Sequence, residues 1–181
     1  MSFYKPLDFL PQIPTPLLPN LEEIRMLEPS KLNYSHDYEI YETTSLVKLN
    51  QWLENFLDLW EFFFTDYYIH LQVVNGETPI QTRSKGECNR MFSFEYVFNN
   101  DSNNNYIETY SNNNVTDKID LPINTWHKLN YAYSEDYKLP VVENRLSINI
   151  WKYQAVPHNI FRNVSYKSNY WNTKDLDIKK S

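Results

Sequence analysis

The chain has 181 residues, a formal net charge of −6, a sequence pI of about 5.2 and 17% aromatic residues. So acidic a chain lacks the basic footprint of a general nucleic-acid binder, and so aromatic a chain does not have the composition of a disordered one. Its two glycines, Gly76 and Gly86, leave no room for a GxGxxG or GxxxxGK[ST] phosphate cradle, and its single cysteine, Cys88, excludes a disulfide framework and fits a reducing compartment.

No apolar run reaches the roughly 18 residues of a membrane-spanning helix, and no secretory signal is read at the N-terminus. The expectation is therefore a cytoplasmic protein with no membrane and no nucleic acid among its partners. The 22 asparagines are the residues expected to take over the turn positions that glycine usually fills. The excess of Asn, Tyr, Ile and Lys has the look of a low-GC genome.

In chain order, residues 1–19 read as a proline-rich apolar arm. Pro6, Pro11, Pro14, Pro16 and Pro19 exclude a helix or a central strand, and the apolar residues between them exclude a solvated linker. The arm either completes its own domain or lies on a partner, which includes a second copy of the chain. Asn20 and Glu23 form a capping-box pattern for a short helix that Pro29 stops. Residues 36–42 alternate like a strand. Leu46, Leu49, Trp52, Leu53, Phe56, Leu57 and Trp60 recur at three and four residues, which predicts a helix over 45–60 covering a sheet.

Beyond Trp60 the period changes to two. Strands are expected over 62–74, 90–98, 106–110, 126–133 and 141–153, with a hairpin-type turn at Asn75-Gly76. Residues 20–154 then form the helices and the main domain, and 155–181 a polar C-terminal tail. Helices followed by uninterrupted strands indicate a mostly β fold, an antiparallel sandwich or jelly roll with about two N-terminal helices packed on one face.

Nucleophile elbows, HExxH and CxxC are all absent. One constellation remains. His70 and Gln72 share one face of a strand, opposite Ile69, Leu71 and Val73. Further on, Arg145, Ser147 and Asn149 share one face of another, opposite Leu146, Ile148 and Ile150. A guanidinium among polar neighbours can hold a carboxylate with its planar fork. The plainer alternative is a pairing with a local acid such as Glu143, or solvation. A buried arginine must meet a carboxylate of some origin. His36 and His158 have no partner at metal spacing.

The spacing of these residues resembles the double-stranded β-helix of the Fe(II)/2-oxoglutarate-dependent oxygenases, above all small phage-type proteins near the prolyl and aspartyl/asparaginyl hydroxylases. The likeness covers about residues 36–153. It implies a His-x-Asp motif at His70-Leu71-Gln72, a distal histidine position near Tyr133, and an Arg-x-Ser strand for the 2-oxoglutarate carboxylate at Arg145 and Ser147. Two of the three metal positions depart from the pattern. Gln72 brings an amide where an anionic oxygen is needed, and Tyr133 brings a phenol where an imidazole is needed. His127 lies six residues before Tyr133, too far along a strand to replace it. Three readings follow. The first is a non-catalytic, viral or phage-type protein that engages a protein partner or a small ligand and binds no cofactor. The second is an active hydroxylase using Fe(II) and 2-oxoglutarate with an altered metal triad. The third is a virion component, a capsid, decoration or tail jelly roll, with the arm reaching a neighbouring subunit.

Overall fold

The computed structural model describes residues 4–30, 38–59, 67–78, 90–130 and 136–153. The fold is mostly β with two α-helices among these residues. In chain order the elements are β1 (Tyr4–Leu7), α1 (Leu21–Arg25), β2 (Tyr38–Glu42), α2 (Val47–Leu59), β3 (Tyr67–Gly76), β4 (Arg90–Asn99), β5 (Tyr106–Ser111), β6 (Asn114–Asp120), β7 (Trp126–Asn130), β8 (Asp136–Lys138) and β9 (Val142–Tyr153). They form a six-stranded sheet, ordered β1-β7-β4-β9-β3-β2, and a three-stranded sheet, ordered β6-β5-β8. All pairings are antiparallel.

The capping box forms as its sequence predicts: Asn20 Oδ1 accepts from Glu23 N–H, and the Glu23 carboxylate accepts from Asn20 N–H. Helix α2 turns Leu49, Leu53, Phe56 and Leu57 inward. They meet Ile69, Leu71 and Val73 of β3, Phe94 and Tyr96 of β4, and Leu146, Ile148 and Ile150 of β9 in one apolar cluster. The Phe56 ring stacks on Trp126 with centroids 4.8 Å apart. At the start of α2, Asn50 accepts from Thr43 Oγ1 and donates to the carbonyls of Leu46 and Thr43, so the first turn is tied to the strand before it.

The arm completes this same core. Tyr4–Leu7 pairs with β7 as an edge strand, the sheet position a proline tolerates. Leu7, Leu10 and Ile13 are buried in the apolar cluster, and Trp126 Nε1–H donates to the Pro11 carbonyl at 3.1 Å.

Three features differ from the sequence reading. Asn75-Gly76 does not turn β3 back onto β4. Gly76, at φ 80°, sits at a register shift against Val142, and β3 lies between β9 and β2. The strand β6 was not expected, because six of its seven residues are exposed and it carries no inward apolar period. The third is β8, too short for a periodic signal. The expected strand residues 62–66 and 131–133, and the tail 155–181, lie outside the described residues.

Candidate functional site

The helix-covered face of the large sheet is apolar. Its other face is also buried, and it mixes polar side chains with apolar ones such as Ile40, Val97 and Trp151. The register places Glu42 of β2 opposite His70 of β3, His70 opposite Asn149 of β9, Asn149 opposite Glu95 of β4, and Glu95 opposite His127 of β7. Directly opposed residues point to the same face, so these five side chains form one row across five strands. None exceeds 6% exposure. The small sheet covers the β7 end of this face, where Leu129 packs with Ile107 and Leu121.

Arg145 enters the row from one side. Its Nη1–H donates to Glu95 Oε2 at 3.0 Å and its Nη2–H to Oε1 at 2.8 Å. His127 Nε2 lies 3.0 Å from the same Oε1. An ionised carboxylate only accepts, so Nε2 carries the proton, and in the neutral ring Nδ1 is the bare nitrogen. That Nδ1 is buried with no hydrogen-bond partner among the described residues. Burial alone would raise the Glu95 carboxyl. The Arg145 charge and the hydrogen bonds from His127 and Arg145 outweigh it and hold the group well below the usual carboxylate range.

At the other end of the row, His70 is enclosed by rings. Tyr68 stacks on it at 5.1 Å and Trp151 meets it edge-on at 4.1 Å. Tyr68 Oη donates to Glu42 Oε1 at 2.9 Å and lies 2.8 Å from Ser30 Oγ. The Gln72 amide nitrogen sits 3.3 Å from His70 Nε2. In either amide orientation the ring nitrogen is engaged by Gln72, as acceptor from the NH2 or as donor to the carbonyl. Asn149 Nδ2 donates to Ser147 Oγ at 2.9 Å.

The structure thus brings His70 and Gln72 together, and Arg145, Ser147 and Asn149 onto the inner face. The acid that Arg145 meets is Glu95, fifty residues upstream on a neighbouring strand, and neither Glu143 nor solvent. His127 lies three strands from His70 in the row, about 14 Å at the usual strand spacing, so the two do not converge. Tyr133 lies outside the described residues. Sequence reasoning missed Glu95, His127 and Glu42 as parts of this face. The signal for Glu95 was a lone acid inside the apolar run Phe92-Ser93-Phe94-Glu95-Tyr96-Val97-Phe98.

No family model matches the chain, and no curated protein matches it. Solved structures do. A prolyl-4-hydroxylase from Pseudomonas putida superposes with a TM-score of 0.55 at 12% identity, over 84% of this chain and 93% of that one. The fold is oxygenase-like. An oxidoreductase of the 2OG-Fe(II) oxygenase family from Burkholderia pseudomallei also matches, with a TM-score of 0.48 at 9% identity, over 80% of this chain and 77% of that one.

The described residues do not fit the metal and cosubstrate that this fold carries in the oxygenases. Among them no group of three or more His, Cys, Asp or Glu side chains converges on a common point. Gln72 supplies no anionic oxygen, its amide engages the His70 nitrogen, and the Arg145 fork is filled by Glu95. No helix among the described residues is long and apolar enough to cross a membrane.

Proposed function

We propose that this chain is a non-catalytic protein of phage type, built on an oxygenase-like jelly-roll scaffold, that acts by engaging a protein partner or a small ligand without Fe(II) or 2-oxoglutarate. The observation that carries this reading is the bidentate Arg145–Glu95 pair. The end-on fork of the guanidinium, Nη1 and Nη2, already holds a carboxylate of this chain. Gln72 supports it, since an amide in place of a carboxylate removes a full negative charge from a site meant for a dication. The excess of Asn, Tyr, Ile and Lys agrees with a phage or other viral source, and the proposal places the protein in the host cytoplasm or the virion.

The test is metal analysis of protein purified anaerobically, followed by an assay for 2-oxoglutarate turnover to succinate in the presence of Fe(II) and ascorbate. The expected result is substoichiometric iron and turnover no faster than free Fe(II) in buffer. Stoichiometric iron with turnover above that background would favour the hydroxylase reading instead.

A further inference from the structure

We propose that Arg145 and His127 form a buried carboxylate-binding site whose ligand is the chain's own Glu95, and that shortening this side chain opens the site to a small monocarboxylate from solution. Three N–H donors on two residues define it. Arg145 offers two N–H donors at 3.0 and 2.8 Å to the two oxygens, and His127 Nε2 offers a third at 3.0 Å to Oε1. Arg145, His127 and Glu95 are 3%, 1% and 6% exposed, so the carboxylate is bound in a low-dielectric interior by donors that the sheet register fixes. Each donor comes from a different strand than the acceptor: Glu95 from β4, His127 from β7 and Arg145 from β9. The strand register places all three residues, so both donor side chains are expected to stay within reach of the vacated space when Glu95 is cut back to Cβ.

Glu95→Ala removes one methylene and the carboxylate, and acetate carries those same heavy atoms. The variant leaves a buried guanidinium without its counter-charge, a state that favours uptake of an anion of matching size. Binding to the folded state alone raises its stability in proportion to ligand occupancy. This inference does not depend on the absence of iron chemistry. The iron test reads the unmodified protein at the His70 end of the row, and this one reads a variant at the Glu95 end.

The experiment is thermal unfolding of Glu95→Ala and of the unmodified protein in sodium acetate, sodium butyrate and sodium chloride at matched ionic strength. Where the variant is unfolded in chloride, refolding into each salt is followed by circular dichroism. The expected result is a saturable acetate-dependent gain in the variant. At five to ten times the dissociation constant it amounts to a rise of roughly 2–5 °C in Tm, or recovery of the folded signal. Butyrate, with two more methylenes, gives less, and the unmodified protein does not respond. A variant that responds to acetate no more than the unmodified protein, that responds equally to butyrate, or that stays unfolded in acetate would overturn the proposal.

Discussion

Arg145 and Glu95 lock together through two hydrogen bonds, 2.8 and 3.0 Å long, between neighbouring strands in the interior of the jelly roll. The pair is 3% and 8% exposed at its side chains. A buried ion pair adds little over a well-packed apolar pair, but breaking one is costly because a bare charge remains. Glu95→Leu and Arg145→Met should each lower the unfolding free energy by about 3–5 kcal/mol. Glu95→Leu combined with Arg145→Met should cost much less than the sum of the single changes. Urea denaturation of the full cycle checks this, and additive losses would mean the two side chains act independently.

The same pair sets the response to acid. The folded-state pKa of Glu95 is depressed, so the unfolded chain takes up its proton first as pH falls. Its stabilisation is complete above the unfolded value of about 4.3 and is lost as pH drops from there through the folded pKa. Stability should therefore fall with decreasing pH below about 4.3, and Glu95→Gln should flatten that slope. Unfolding free energy measured across pH 2–6, roughly the window in which carboxylates titrate, reads this directly.

Helix α2 offers a contrast between two leucines six residues apart. Leu53 is fully buried against the sheet, and Leu59 is 77% exposed. Leu53→Ala should cost about 2–5 kcal/mol, and Leu59→Ala should stay within roughly 0.5 kcal/mol of the parent. Equal losses at both positions would contradict the orientation of the helix.

Much of this architecture was legible in the residues. The three-four spacing of Leu49, Leu53, Phe56 and Leu57 and the alternation of Leu146, Ile148 and Ile150 each name a buried face, and both faces meet in one core. Asparagine stands in for glycine as expected: every non-glycine residue with positive φ among the described residues is an asparagine, namely Asn112, Asn113, Asn124 and Asn144. The polar face was harder to interpret. Alternating polar residues usually mark the solvated side of a strand, yet His70, Ser147 and Asn149 are buried, and no local pattern encodes that burial. Glu95 finds Arg145 only through strand order, since β4 and β9 are neighbours although β5–β8 intervene in sequence. Register across non-consecutive strands is a tertiary property, and no spacing within one strand reveals it.

Asn144 allows a local check of the turn chemistry. It holds φ at 45° and its amide donates to Asp101 Oδ2 at 2.9 Å. Asn144→Ala should cost about 1–2 kcal/mol for the left-handed backbone and the lost bond. Asn144→Gly should recover the backbone part. Thermal melts of the two variants separate the contributions, and an Ala variant as stable as the Gly variant would contradict the strained geometry.

The inner face carries its own carboxylate at Arg145, and the proposed function has it take neither iron nor cosubstrate. Calorimetric titration of the unmodified protein with Mn(II), as an air-stable substitute for Fe(II), with and without 2-oxoglutarate, tests it most directly. No stoichiometric heat is expected in either titration. Stoichiometric low-micromolar binding that 2-oxoglutarate tightens, and that Arg145→Ala makes insensitive to 2-oxoglutarate, would contradict it.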